Sequence, residues 1–413
     1  MVTLAALSVL VLGVLLARTI WPYRLNPILI GVLIWAPAVL LSTLPREFNL
    51  PIYSHLNRDI GLGVTAAMLI SFIYFSAGVC AVLAVVGSSG WDSRLLRQPV
   101  NVDDGRMALL FCLGFLVFAY SFSRTGLGDV VSLEPNEVAE SRLRLHLGPL
   151  SFVTLFLDIG AVVFLARMLE TRRFIYGLPA VLATVCYMMT LQKSPTVFIA
   201  LSAAFLFMLQ PAAAREMLFG TPRRGLTSVL LVLVVIGALF VMNALRGIGV
   251  IPMTTFEWPW FEQVYIYSGA TAILNLSASI EGHVPLDPPT MGLLLAKPIT
   301  WHLVDRNLLD PTRYFEGINA ATYLVYPWSD FRWAGFAITP FLTGVLTTLF
   351  FRMALRRTIY GLVFGAIAFK AVVFSVNTDV IFDPTTLIQM AIALVAHAFA
   401  ARRWSRPVRW QAT

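Results

Sequence analysis

A chain of 413 residues that is 58% hydrophobic and only 13% charged, with a mean hydropathy of +0.79, lies far from a soluble domain, in which roughly a quarter of residues are charged. That balance excludes a water-soluble globular enzyme and points to a polytopic membrane protein. The net charge of +8 gathers in short loops and in the tail "RRWSRPVRW", which reads as an interfacial anchor for anionic lipid and not as a nucleic-acid surface.

A bilayer core about 30 Å thick takes about 20 apolar residues per helix, because every backbone amide must be satisfied inside the span. Runs that meet this requirement fall at 2–17, 27–44, 60–87, 107–122, 149–166, 174–191, 194–210, 226–245, 333–351, 358–376 and 381–400. The fold class expected is therefore all-α, a polytopic membrane protein of about 11 (10–12) helices in which residues 1–413 form a single integral domain. The first run has no basic stretch before it and carries Arg18 after it, which fits a retained helix better than a secretory signal. The 60–87 run is long enough for one tilted or kinked helix and too short for two. Cys80, Cys112 and Cys186 all fall inside spans without paired spacing, so they read as small core residues and not as a disulfide or zinc framework.

Orientation follows from the arginines. One set of loops carries Arg18 and Arg24, then Arg94, Arg97 and Arg106, then Arg167, Arg172 and Arg173, then Arg215, Arg223 and Arg224, then Arg352, Arg356 and Arg357, then Arg402, Arg403, Arg406 and Arg409. The alternate short loops are poorer: Arg46 and Arg58, then Arg124, Arg142 and Arg144, then Lys193 alone, then nothing between 376 and 381. Positive residues in short loops stay cytoplasmic, so the N-terminus is expected outside, the C-terminus inside and the long 246–332 segment outside. That segment is too apolar for a passive connector. "FEWPWFEQVYIYSGATAILNLSASIEG" and "TMGLLLAKPITWHLV" each contain a helical pattern and are expected at the membrane surface, with Trp258, Trp260 and Trp301 suited to an aromatic belt.

Several cations face the same predicted side. Lys193 is the positive charge of a tight turn, "TLQKSPTVF"; Arg246 closes the eighth span; Arg142 and Arg144 stand just before the fifth; Lys370 lies inside the tenth. An intramembrane lysine needs a wet cavity or a partner. Together these residues outline an electropositive pocket. The plainer alternatives are that Arg142 and Arg144 pair with Glu134, Glu137 or Glu140, that Lys193 and Arg246 snorkel at helix ends, and that Lys370 pairs with Asp379 or Asp383. The polar stretch "GINAATYLVYPWSDFRWAG" then leads into the ninth span, with Asn319, Thr322, Tyr323, Tyr326 and Asp330 close together.

This order of features resembles the Wzy-type oligosaccharide repeat-unit polymerases (O-antigen polymerases) of bacterial surface polysaccharide synthesis. The likeness rests on an arginine before a mid-chain span ("RLRLHLG"), a basic residue and serine opening another ("LQKSPTVF"), a large outer loop, and "NAATYLVYPWSDF" before the next span, and it covers about residues 120–376. Members often continue Asp-Phe-Gly-x-x-Gly, whereas here Arg332 takes the place of the first glycine.

The resemblance implies a glycosyltransferase at the periplasmic face of the bacterial inner membrane. Such an enzyme transfers a growing glycan from undecaprenyl pyrophosphate to the non-reducing end of an incoming lipid-linked repeat unit, and works beside a chain-length regulator and a flippase. The residues suit that chemistry. A glycosyl–pyrophosphate bond breaks with negative charge on the leaving group, which a metal or fixed cations must stabilise. No Asp-x-Asp pair occurs in the outer loops, so Arg142, Arg144, Lys193, Arg246 and Lys370 are the expected pyrophosphate-binding set of a metal-independent, cofactor-free site. The acceptor hydroxyl needs a base, for which Asp330 comes first and His283 second; Ser329-Asp330 is equally suited to capping the ninth span. Asn319, Thr322, Tyr323 and Tyr326 suit sugar recognition or turn and interface roles. Two rival functions share parts of this pattern: an O-antigen ligase, and a transporter of lipid-linked oligosaccharides or small molecules.

Overall fold

The computed structural model describes residues 26–47, 61–86, 99–124, 148–190, 193–210, 269–281, 289–296 and 322–402. Among them the regular structure is entirely helical, apart from one isolated bridge between Asn101 and Thr358. In chain order the α-helices are α1 (Pro27–Glu47), α2 (Leu62–Val86), α3 (Asp104–Ser123), α4 (Leu155–Thr171), α5 (Leu178–Met189), α6 (Lys193–Met208), α7 (Ala270–Ile280), α8 (Val325–Phe331), α9 (Gly335–Leu355), α10 (Ile359–Phe374) and α11 (Pro384–Ala400). Short 3₁₀ turns lead into α4, α5 and α9. Every predicted span that falls on described residues coincides with a helix; the runs 2–17 and 226–245 lie outside them. Among the described residues, four stretches are long and apolar enough to cross a membrane: Leu62–Val86, Asp104–Ser123, Gly148–Thr171 and Val325–Leu355.

Burial explains the arrangement. In α4 every residue from Phe156 to Arg167 is buried, and in α10 nearly all from Ile359 to Val372 are, so these two helices form the centre of the bundle. A helix that is apolar all round has no face to give to water. In contrast α3 turns Leu109, Leu113, Leu116 and Tyr120 outward at helical spacing, and α5 does the same with Leu178, Val181 and Val185. A soluble protein does not expose such stripes; hydrocarbon accepts them.

The tightest helix pair is α2 against α9, and two glycines make it possible. A Cβ on Gly78 would run into the carbonyl oxygen of Phe341, and one on Gly344 into the carbonyl oxygen of Phe75. Between helices in lipid there is no hydrophobic driving force, so close backbone approach through small residues supplies the attraction by dispersion.

Of the loops that the arginine pattern assigned to one side, those at 99–106, 167–173 and 356–358 meet at one end of the bundle. Asn101 N–H donates to the Arg357 carbonyl (3.1 Å), Asp103 N–H to the Ala400 carbonyl (2.7 Å) and Val100 N–H to Glu170 Oε2 (3.3 Å). Arg167 fastens this end: Nε and Nη2 bond the two oxygens of Asp104 at 3.0 and 2.9 Å, Nη1 bonds Glu170 at 2.9 Å, and the Tyr176 hydroxyl donates to Asp104 at 2.9 Å. A forked guanidinium–carboxylate contact of this kind fixes geometry as well as charge.

Candidate functional site

The opposite end holds the residues of interest. Here α7 packs against α1 and α2, Gly269 abuts Val376, and Gly61 N–H reaches Ser277 Oγ at 3.5 Å. The sequence placed this piece on the membrane surface as an amphipathic helix. The structure differs: every residue from Ala270 to Ser279 is buried, so α7 is inserted among its neighbours. Its small residues, Ala270, Ala272, Ser277, Ala278 and Ser279, let it fit on all sides.

Asp330 lies inside α8 and is 1% exposed. It does not cap the ninth span. Its carboxylate reaches across to the 289–296 segment, accepting from Leu294 N–H (2.9 Å), Leu295 N–H (2.7 Å) and the Thr290 hydroxyl. Backbone bonds from Thr290 N–H to the Ser329 carbonyl and from Met291 N–H to the Asp330 carbonyl complete the clamp, both at 3.1 Å. Asp330 is thus a cap in trans, satisfying the orphan donors of the turn that begins at Thr290, where Met291 is held at φ +51°. Capping was one of the two expected roles, but on a turn distant in sequence.

Arg332 stands in left-handed backbone. Arg332 adopts φ +54°, ψ −132°, backbone that glycine enters without strain and that costs other residues about 1–3 kcal/mol. Its guanidinium lies 5.5 Å over the Trp328 ring and bonds the Trp328 carbonyl at 3.4 Å. Gly335 is required for a different reason, since a Cβ there would meet the Pro327 carbonyl.

The residues of the polar stretch do not share one surface. Thr322 is fully buried, and Tyr323, 8% exposed, packs edge-on against Trp35 with ring centroids 6.2 Å apart. Burial, together with the charge of Asp379, raises the Tyr323 hydroxyl above its ordinary pKa. An incoming sugar would not reach either side chain from solvent. Tyr326 is half-buried. Asn319, His283, Arg142, Arg144 and Arg246 lie outside the described residues.

One of the expected cations, Lys370, stands beside the start of α6. α6 starts at Lys193, and the half-buried Lys370 of α10 donates from Nζ to Ser194 Oγ at 3.0 Å while lying 5.7 Å over the Phe198 ring. Two spans far apart in sequence thereby place an ammonium beside the first turn of a 16-residue helix, whose free N–H groups favour anions. The charges that reach Lys370 are those of Asp158 and Asp383. Asp383 caps α11 by accepting from Thr385 N–H at 2.8 Å. Asp158 sits in the first turn of α4, buried, accepting from Gln389 Nε2 at 3.2 Å with the buried Tyr187 hydroxyl beside it. The partners of Asp158 come from α5, α10 and α11 and have no sequence spacing that could reveal them.

Next to this end runs a mainly apolar groove between α1, α2, α9 and α10. Trp35 Nε1 donates to Ser375 Oγ at 2.8 Å, and Tyr323 N–H donates to the Ser375 carbonyl at 3.0 Å, so both Trp35 and Tyr323 of the groove wall are tied to the end of α10. The groove was not anticipated from sequence.

No family model, curated protein or solved structure matches this chain.

Proposed function

We propose that the chain is a glycosyltransferase that polymerises undecaprenyl-pyrophosphate-linked oligosaccharide repeat units into a surface polysaccharide at the periplasmic face of the bacterial inner membrane. It does so as a bundle of about 11 spans with its N-terminus periplasmic, its C-terminus cytoplasmic and residues 246–332 as a periplasmic cap, following the positive-inside pattern. The observation that carries the reading is the convergence of Lys370, Ser194 and the start of α6 at one end of the bundle, beside an apolar groove. A head group with negative charge and a long hydrocarbon tail matches that pairing of surfaces.

In the transfer step the acceptor hydroxyl of the incoming unit attacks the anomeric carbon of the growing chain. A carbon–oxygen bond forms there as the bond to pyrophosphate breaks, the undecaprenyl pyrophosphate leaves with the electron pair, and the hydroxyl proton passes to a base. Lys193 and Lys370, with Arg142, Arg144 and Arg246, stabilise the leaving charge. Because three donors already occupy Asp330, the base in this scheme is His283, and Asp330 holds the surrounding segment in place. Tyr326 and Asn319 remain the sugar contacts.

Deleting the gene and resolving surface polysaccharide on gels tests the reading. Single-repeat products in place of long chains, restored by the wild-type gene and not by Lys370→Met, support polymerisation; unchanged chain length refutes it. An O-antigen ligase would instead leave lipid-linked polymer accumulating. One feature favours a transporter: the buried Asp158–Gln389 contact within the helix core, since intramembrane carboxylates mark translocation paths. Loss of any outward-facing intermediate in the deletion strain would select that reading.

A further inference from the structure

Asp158 is a buried titratable group that the transfer step leaves unused. Five helices bring polar side chains together around it and Lys370: Asp158 from α4, Tyr187 from α5, Ser194 from α6, Lys370 from α10 and Gln389 from α11. The set grades inward, from the exposed Ser194 through the half-buried Lys370 to Asp158, Tyr187 and Gln389, all buried. The carboxyl group is only half satisfied. Oδ2 accepts from Gln389 Nε2 at 3.2 Å, whereas Oδ1 is buried without a hydrogen-bond partner among the described residues. A carboxylate in that state is held ionised by a nearby positive charge or takes a proton. The Tyr187 hydroxyl beside it suits either form, because a hydroxyl can donate to a carboxylate and accept from a carboxylic acid.

We infer that Asp158 is a proton-binding site linked to anion binding at Lys370: the carboxyl group is ionised while Lys370 is free, and takes up one proton from solvent when an anion docks on Lys370. This presupposes the polymerase reading in one respect, that Lys370 faces the pyrophosphate. Charge balance inside the bundle supplies the reason. Without an anion, the Asp158 carboxylate and the Lys370 ammonium lie within each other's electrostatic reach and offset each other. An anion held by Lys370 leaves the carboxylate uncompensated, and a proton on its open Oδ1 restores the balance. The other groups facing Asp158 do not supply that relief. Of the elements packed on α4, α5 brings Tyr187 and Cys186, and α11 brings the Asp383 of its cap, which acts on Lys370 but already accepts from Thr385 N–H. α6 begins at Lys193. α3 carries Cys112, and Arg124 follows its last turn, over the Tyr120 ring. Asp104, Arg106, Arg167, Glu170, Tyr176, Tyr360 and His397 stand toward the other end of their elements. Asp158 is thus the buried carboxyl group with an oxygen open to a proton.

Proton uptake on anion binding tests this with the full-length protein in phosphatidylcholine nanodiscs. Inorganic pyrophosphate is titrated by calorimetry across the neutral pH range into wild type, Asp158→Asn, Asp158→Glu and Lys370→Met. The ratio of wild-type to Asp158→Asn affinity cancels the titration of pyrophosphate itself. Because the complex holds one proton more than the free protein, that ratio is expected to fall as pH rises, by up to about tenfold per pH unit, and to level off at the acid end where free Asp158 is already protonated. Asp158→Glu should keep the dependence. Infrared difference spectra of wild type, with minus without pyrophosphate, should gain a carboxylic-acid carbonyl band. The band should shift in Asp158→Glu and vanish in Asp158→Asn and Lys370→Met. It is read on wild type, so an Asp158→Asn protein that fails to fold does not remove the test. Binding that depends on Lys370, with either a flat ratio or no carboxylic-acid band, overturns the proton site and leaves the anion site standing. Pyrophosphate binding that Lys370→Met does not weaken, or no binding at all, removes the anion site, and the linkage to Asp158 falls with it.

Discussion

Replacing Asp330 separates a structural clamp from a catalytic base. The carboxylate accepts two backbone N–H groups and one hydroxyl from a segment some 35–40 residues away in sequence, and both it and Leu294 are buried. Hydrogen bonds to a charged group contribute about 1.5–3 kcal/mol each, and stranding a buried donor costs about 1–3 kcal/mol. Asp330→Ala strands three donors while removing the cost of burying the carboxylate, so a net loss of about 3–5 kcal/mol is expected. Asp330→Asn keeps one acceptor oxygen and sets an amide N–H₂ against a backbone N–H, for a loss of about 2 kcal/mol; Thr290→Val, which removes a single contact, loses about 1 kcal/mol. Detergent-solubilised protein heated in steps and read by size-exclusion chromatography should rank the midpoints wild type, Thr290→Val, Asp330→Asn, Asp330→Ala. Limited proteolysis with mass spectrometry should show new cuts near 289–296 in the two Asp330 variants. An unchanged midpoint and cleavage pattern in Asp330→Ala would refute the clamp. A fully stable Asp330→Asn that makes only single-repeat product would restore Asp330 as the base.

Arg332→Gly relieves left-handed backbone at the cost of a cation–π contact, and a gain of about 1 kcal/mol in thermal stability is expected; a loss would mean that the guanidinium contact outweighs the strain. Gly78→Leu or Gly344→Leu forces α2 and α9 apart and should abolish the monodisperse size-exclusion peak, whereas Gly31→Ala, where the nearest atom to a new Cβ is Val372 Cγ1 at 3.8 Å, should leave it intact. Asp158→Asn and Lys370→Met are expected to couple by about 0.5–3 kcal/mol in a double-mutant thermal-stability cycle, because each single change removes an opposite charge that acts on the other residue; strict additivity would show that the two do not interact. With Cys80, Cys112 and Cys186 replaced, cysteines at Arg172 and Arg356 should share one accessibility to an impermeant thiol reagent in intact cells and Asn377 should show the other; the same response from all three would break the alternation of ends.

Much of the secondary structure was legible in the chain because a bilayer imposes a simple rule. The apolar runs at 60–87, 107–122 and 358–376 became α2, α3 and α10 with only their ends displaced, since each span must satisfy its own amides whatever its neighbours do. The arginine pattern likewise grouped the loops at 99–106, 167–173 and 356–358, which the structure gathers at one end. Charge sorting acts on each loop separately and leaves its mark in the sequence. The pairing of Arg167 with Asp104 and Glu170 did not show there: Arg167 was counted only as a positive loop residue, and two of its contacts join α3 to α4.

Tertiary structure decided what depends on which helices meet. The sequence of α7 shows an apolar face, and only packing against α1 and α2 revealed that its remaining small residues are buried too. Asp330 carried the composition of a cap, but the turn it caps lies about forty residues earlier, a partnership no local spacing encodes. Lys370 announced itself by its cost in the membrane, while its neighbours Ser194 and Asp158 come from two other helices. Sequence alone thus determined that the chain is helical, with stretches long and apolar enough to cross a membrane, and where its costly residues lie, because those properties are set residue by residue. The assembly of those residues beside an apolar groove depended on contacts between distant segments, which exist only once the helices have packed.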